Sequence, residues 1–394
     1  DDMQPWTGSL VKHEGLFYLF YTMRNKADNG ARQRIGLATS RDLDHWERHP
    51  GNPVVEPDPR WYTTAANADP GGVVDCRDLL VIRDPQNKGW LGFYAARTPK
   101  AGLAEGTVIA AVRSNDLLHW EHLPPAFAPS KYACLEVPDV YELNGKWYLT
   151  ALAGNEYGNR GLFSDPRVIR GTIYAVAEKP EGPYREFTDD NVLMGGDMLT
   201  GYSCRTFMFN GVRRLFATHG NPVGPAVLSP PFELRTDARG HLRVAWSALS
   251  EGWRTRKLAD STQPPPPPLR NIPSHYRWTM PAGEWRLQQE TYIGEAKAGW
   301  QCASLDVKSR NVEIQATVRL VEGAAAGLAW GPLLANGRGK DLILMLDAEA
   351  QCLRAATTPN FAETCARSFP VERGKDYRVR IFIRPPRFEM YIED

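Results

Sequence analysis

Ser40-Arg41-Asp42-Leu43-Asp44-His45-Trp46-Glu47 recurs 74 positions later as Ser114-Asn115-Asp116-Leu117-Leu118-His119-Trp120-Glu121. Similarity at a fixed period marks the repetition of one supersecondary unit. Each copy follows a strand of small and β-branched residues, Ile35–Thr39 in the first and Val108–Arg113 in the second. An aromatic strand stands ahead of each: Gly15–Thr22, then Gly89–Ala96, with a third version at Gly145–Thr150. A weaker third unit continues through Gly171–Val176 and Gly182–Phe187, and a fourth hairpin opens at Thr206–Phe216. Helical patterning is almost absent. Turn clusters at Glu14-Gly15, Asn52-Pro53, Asn144-Gly145 and Asn210-Gly211 punctuate short runs rich in Val, Tyr, Phe, Trp and Thr, as in an all-β protein. Four strands per unit, repeated, read as the blades of a β-propeller, whose first strands converge on a central channel. With the segment around 225–250 closing the ring, the sequence predicts a five-bladed β-propeller.

Composition agrees with a chain of two domains. Its 394 residues exceed what one core normally holds. Gln263 leads into five consecutive prolines, Pro264 to Pro268, which favour an extended path and supply no ladder donors. This run reads as a spacer or packed strap, with a recognition motif for a partner as the alternative. Beyond residue 285 the pattern becomes clean alternation, with Val312, Ile314, Ala316, Val318 and Leu320 on one face and Tyr377, Val379, Ile381 and Ile383 on another. The expected organisation is a propeller over 1–262, a Pro-rich linker over 263–284 and a C-terminal β-sandwich over 285–394.

Charge excludes several partners. Lys plus Arg number 47 against 46 Asp plus Glu, so nothing points to nucleic acid or an anionic membrane surface. No apolar run approaches the roughly 20 residues that span a bilayer. Six cysteines are spread without a C-x-x-C pair and read as buried free thiols, and no metal or cofactor site is indicated. His45 and His119 fall in the repeated turn, where recurrence assigns them to structure. The chain begins with Asp and its last residues read as a strand cut short, as expected of a fragment at both ends.

Three acidic motifs carry the chemistry. They are Asp1-Asp2 before Trp6-Thr7-Gly8-Ser9, then Arg77-Asp78, then Leu135-Glu136-Val137-Pro138-Asp139. A carboxylate delivered once per blade converges on one point when the blades are radial. Glycosidic bond cleavage needs two carboxyl groups about the anomeric carbon, and a third can hold ring hydroxyls as positive charge develops. A proton donor among them is favoured by burial and by neighbouring like charge, which raise a carboxyl pKa. Glu136 is the candidate donor. Asp78 stands twelve residues before Trp90 and Glu136 eleven before Trp147, so both are placed at the start of a first strand. The second Arg-Asp pair, Arg83-Asp84, falls within the hairpin turn instead. Asp2 is the candidate nucleophile, with Asp1 as the alternative. Trp6 forms an aromatic wall for a sugar ring or fills the blade, and Arg77 pairs with a carboxylate or sugar oxygens. Arg205 binds a substrate hydroxyl or forms an internal salt bridge. Tyr202, His219, Trp61, Tyr62, Asn67 and Asp69 lie on segments that also reach toward the funnel.

With these residues in place, the chain resembles the glycoside hydrolases of family 32 and their relatives in families 68 and 43. Asp1-Asp2-Met3-Gln4-Pro5 is similar to the family's nucleophile segment, Arg77-Asp78-Leu79 to its Arg-Asp-Pro segment, and Glu136-Val137-Pro138 to its Glu-Cys-Pro segment. Leu79 replaces the proline and Val137 the cysteine. The resemblance implies a five-bladed propeller with an appended sandwich, Asp2 as nucleophile, Asp78 as transition-state stabiliser and Glu136 as general acid/base. It implies a retaining hydrolase acting on a furanoside, a β-fructofuranoside first. The alternatives are an inverting, family 43-like arabinofuranosidase or xylosidase and a non-catalytic carbohydrate-binding propeller.

Overall fold

The computed structural model describes residues 3–65, 72–87, 89–99, 105–154, 170–196, 201–219, 226–258, 270–271, 284–289, 291–295, 303–304, 309, 311–331, 341–357, 362–384 and 387–393. The chain divides into two compact units, Asp1–Ala245 and Trp246–Asp394.

Among the described residues, the first unit holds four antiparallel sheets. The first holds β1 (Trp6–His13), β2 (Leu16–Met23), β3 (Arg34–Ser40) and β4 (Glu47–Arg48) in that order. β5 (Cys76–Arg83), β6 (Trp90–Arg97), β7 (Thr107–Ser114) and β8 (Glu121–Phe127) repeat the pattern, as do β9 (Leu135–Leu143), β10 (Lys146–Ala153), β11 (Arg170–Ala177) and β12 (Val192–Gly196). The fourth sheet runs β13 (Tyr202–Phe209), β14 (Val212–His219), β16 (Phe232–Thr236), β17 (Leu242–Ala245), with β15 (Val227–Leu228) on β14. The segment near 225–250, expected to close the ring as a further blade, therefore completes the fourth sheet. The first strands neighbour one another in chain order, β1 with β5, β5 with β9 and β9 with β13.

Local chemistry explains the hairpins. Glu14-Gly15, Asn144-Gly145 and Asn210-Gly211 each place two residues at positive φ, the type I′ geometry that matches strand twist. The second sheet uses a longer turn, in which buried Asp84 accepts hydrogen bonds from the amides of Gln86 and Asn87 and pairs with Arg113. In the Ser-x-Asp-Leu-x-His-Trp turns, Asp42 Oδ1 accepts from the amides of Asp44 and His45 while its Oδ2 meets His45 Nδ1 at 2.8 Å. Asp116 and His119 reproduce this at 2.7 Å. Leu43 and Leu117 take the left-handed backbone that closes each turn. Both imidazoles are exposed and serve the turn itself, whereas Trp120 of the second copy meets Phe20 of the first sheet edge-on at 5.6 Å.

Apolar layers fill the spaces between sheets. Phe20, Ile35 and Leu37 pack with Val81, Tyr94 and Val112 between the first and second, and Phe93 and Ile109 pack with Leu149 and Ile173 between the second and third. Cys76, Cys134, Cys204 and Cys352 are buried free thiols. In the second unit, a three-stranded sheet (Val312–Arg319, Asp376–Arg384, Arg387–Ile392) and a four-stranded one (Ala325–Trp330, Leu342–Asp347, Cys352–Thr357, Ala362–Ser368) share one core of Leu344, Leu346, Tyr377, Val379 and Ile381. This is the alternation read from the sequence, folded as a sandwich. The five-proline run lies outside the described residues.

Gly8 and Ser9 of the Trp6-Thr7-Gly8-Ser9 string hold β1 in place. A Cβ on Gly8 would stand 1.8 Å from the Phe20 carbonyl oxygen. The Ser9 hydroxyl donates to the Leu79 carbonyl at 2.7 Å and accepts from the Val81 amide at 3.1 Å, tying β1 to β5. Gly8→Ala is expected to destabilise the chain by about 2–4 kcal/mol, because the clash is with backbone. Thermal melts of the two proteins check this, and an unchanged Tm would refute the close approach.

Candidate active site

A one-residue slip in pairing recurs near the start of all four first strands, including β1 between Trp6 and Gly8, and three of them share one bulge geometry. Pairing runs Cys76↔Ala96 and Arg77↔Ala95, then resumes one residue out of step at Leu80↔Phe93. The same slip separates Glu136↔Leu152 from Asp139↔Thr150 and Tyr202↔Thr218 from Arg205↔Phe216. In these three the first residue of the bulge is left-handed: Asp78 at φ 60°, Val137 at 49° and Ser203 at 51°. Non-glycine residues hold this conformation at about 1–3 kcal/mol, and such strain gathers at functional sites. Asp78 is thus the repeat equivalent of Val137, and Glu136 that of Arg77. The expectation that the two acids occupy matching positions is corrected by one residue.

That offset brings both acids onto one guanidinium. Arg77 Nε lies 3.1 Å from Glu136 Oε1 and 3.8 Å from Asp78 Oδ2, while its Nη1 meets Asp75 Oδ1 at 2.6 Å and Gln33 Oε1 at 3.2 Å. Arg77 is buried, which by itself disfavours its charge, but the carboxylates of Asp75, Glu136 and Asp78 outweigh burial and keep it cationic. Asp75 binds a second arginine, Arg97, at 2.8 Å, and Arg97 donates to the Ala133 carbonyl at 2.8 Å. Burial raises the Asp75 pKa, but the pull of Arg77 and Arg97 prevails and holds its carboxyl below the usual range.

Asp78 is 4% exposed. Its amide donates to Thr22 Oγ1 at 2.9 Å, and its Oδ2 accepts from the Val137 amide at 3.1 Å. The carboxyl therefore holds the peptide that follows Glu136. Burial, with the Glu136 charge adding to it, pushes Asp78 up to about 6 against the opposing pull of Arg77, the Val137 amide and Arg205. Glu136 is the more open of the two, with 27% of its side chain exposed.

The remaining candidates fall into place around this cluster. Arg205 donates from Nη1 to the Pro138 carbonyl at 2.5 Å, and its buried Nη2 has no hydrogen-bond partner among the described residues. The Thr206 amide donates to Asp139 Oδ2 at 2.6 Å, and burial raises the Asp139 pKa. Trp6 is 39% exposed with the Arg24 guanidinium 4.1 Å above its ring, so it does not fill the space within the sheet stack. Tyr202 contributes a backbone pair with Thr218, and buried His219 faces the Gly201 amide through Nδ1. Tyr62 is buried and packs edge-on against Tyr94, while Trp61 lies under Arg60. Asp1, Asp2, Asn67 and Asp69 lie outside the described residues.

Sequence reading missed Asp75, Arg97, Thr22 and Asp139. Asp75 was legible in principle, since residues two apart in extended chain share a face and Asp75 precedes Arg77 by two. Thr22 carried no signal, because its role depends on which strand lies beside β2.

Buried Asp78 and part-exposed Glu136, from the bulges of neighbouring sheets, thus meet at one buried arginine. Residues 1–157 match the Glycosyl hydrolases family 32 N-terminal domain, in agreement with the resemblance of the three motifs. Two solved structures are similar over 99% of this chain and 72% of their own. The Bombyx mori GH32 beta-fructofuranosidase BmSUC1 gives a TM-score of 0.61 at 15% identity, and a single-residue mutant of the same enzyme in complex with sucrose gives 0.62 at 16%. At that identity they establish the fold. No curated protein sequence matches the chain.

The raised Asp78 pKa has a thermodynamic signature. Between its unfolded value near 3.8 and its folded value of about 6 the native state binds the extra proton, so the opposition of this carboxyl to folding grows as pH rises from about 3.8 to about 6 and is constant above. Asp78→Asn keeps the acceptor for the Val137 amide and removes the buried charge. The variant is expected to be more stable than the parent at pH 7.5, by on the order of 2 kcal/mol, with the gap closing by pH 4.5. Paired melts at the two pH values check this, and a variant less stable at pH 7.5 than at 4.5 relative to the parent would refute it.

Proposed function

We propose that the chain is a retaining glycoside hydrolase acting on a β-fructofuranoside. Glu136 is the general acid/base, Asp78 the transition-state stabiliser and Asp2 the nucleophile. The observation that carries this reading is the convergence of Asp78 and Glu136, from adjacent sheets, on the Arg77 guanidinium. The four described sheets are read as consecutive blades of a five-bladed propeller, a reading supported by the serial adjacency of their first strands.

The chemistry follows from the roles. Asp2 attacks the anomeric carbon while Glu136 gives its proton to the departing oxygen, leaving a covalent glycosyl-enzyme. Glu136 then takes a proton from water, which releases the sugar and restores both carboxyl groups. Asp78 in its ionised form accepts hydrogen bonds from ring hydroxyls, which strengthen as the ring gains oxocarbenium character. The Arg205 Nη2, buried and without a hydrogen-bond partner among the described residues, is a donor suited to a further hydroxyl. A retaining pathway requires Asp2 and Glu136 carboxyls about 5–5.5 Å apart, whereas a gap beyond roughly 6.5 Å belongs to an inverting enzyme. The sucrose named in the complex with the BmSUC1 mutant supports a fructoside as the first substrate to try.

Sugar release from sucrose, inulin, levan and aryl furanosides tests the reading directly. Glu136→Gln is expected to lower turnover of sucrose by about 10²–10⁴-fold. Turnover confined to an arabinoside would keep the two-carboxylate chemistry and discard fructose. Turnover indifferent to Glu136→Gln would remove that residue from the reaction.

A further inference from the structure

Asp75 lies outside the three acidic motifs, yet it bridges two arginines where Asp78 and Glu136 meet on one. It is 7% exposed and bonds Arg77 Nη1 at 2.6 Å through one oxygen and Arg97 Nε at 2.8 Å through the other. Arg77 in turn bonds Glu136. Arg97 donates from Nη2 to the Ala133 carbonyl, three residues before Glu136, and the Thr107 hydroxyl donates to the same oxygen at 2.7 Å. Asp75 thus reaches Glu136 by two routes, one through the side chain that Glu136 touches and one through the peptide that carries it.

We propose that Asp75 is a positioning residue for Glu136, acting through Arg77 and Arg97. This rests on the assignment of Glu136 as general acid/base. One physical consequence supports it: a guanidinium has a fixed planar fork, so a carboxylate gripping Nη1 decides where Nε points. Asp75 holds Nη1 at 2.6 Å, closer than Glu136 stands to Nε at 3.1 Å. Gln33 and Asp78 also face Arg77, but Gln33 is neutral and Asp78 stands farther off, at 3.8 Å.

The test exploits the leaving group, since proton donation matters for a sugar alkoxide and little for a nitrophenolate. The full chain and its Asp75→Asn variant are compared on sucrose and on a nitrophenyl β-fructofuranoside. The expected result is a loss of kcat/KM, which reports the step in which Glu136 donates its proton, of about tenfold or more on sucrose and within about twofold on the aryl substrate. Equal losses on both substrates, or none on either, would overturn the proposal while leaving the assignment of Glu136 intact. If the parent turns over neither substrate, the assignment and the proposal fall together. Should Asp75→Asn not melt cooperatively, Arg97→Gln decides the matter in the same comparison. That variant cuts the second route but leaves Asp75 on Arg77, and it is expected to show a smaller loss of the same leaving-group-dependent kind. Equal effects of Arg97→Gln on the two substrates would again overturn the positioning role.

Discussion

A guanidinium removed from water must be met by negative charge, and the site is organised around that requirement at Arg77. An uncompensated buried cation is strongly destabilising, whereas a buried cation with well-placed carboxylates and filled hydrogen bonds is tolerated. Three carboxylates surround Arg77, from Asp75, Asp78 and Glu136, and they come from two different sheets and the segment leading into one of them. Satisfying Arg77 therefore forces β5 and β9 into one relative position. The two acids are aligned as a by-product of neutralising a charge that folding has buried.

The β-bulges are the second half of the device. Slipping one residue out of register frees backbone groups that the ladder would otherwise use, and the neighbouring sheet supplies partners for them. Thr22 of β2 accepts the Asp78 amide, Asp78 accepts the Val137 amide, and Asp139 accepts the Thr206 amide. Ser9 does the same between β1 and β5 through Leu79 and Val81. A left-handed valine is costly in isolation, being β-branched, and Val137 persists there because Asp78 fixes its amide. Strain and cross-sheet hydrogen bonds thus occupy the same few residues, next to the acids.

Much of this was readable in the chain before any coordinates. The Ser-x-Asp-Leu-x-His-Trp repeats and the aromatic strands set out the four-stranded unit, since period-two patterning and turn chemistry are local properties. Asp84 could be separated from Asp78 by its distance from Trp90, because hairpin geometry is local as well. The one-residue offset between Asp78 and Glu136 was not readable. A bulge leaves the residue types unchanged and alters only which residue stands opposite which. The same limit hid Thr22 and the pairing of Asp75 with Arg97, which arise from neighbours roughly 20 to 60 positions away. It also explains the misplaced fifth unit. Residues 227–245 have ordinary strand character, and nothing local says that they pair back onto β14 rather than form a sheet of their own.

Asp78 shows why such a site would be preserved rather than relaxed. A carboxyl pushed up to about 6 is charged near neutrality only by lowering native stability, and an amide in its place would serve the Val137 peptide equally well. A purely structural demand would therefore be met without the charge. What an amide cannot do is present an anion to a ring that is becoming cationic. The role proposed for Asp78 beside Glu136 would account for the combination of burial, a left-handed backbone and an ionisable group at one position.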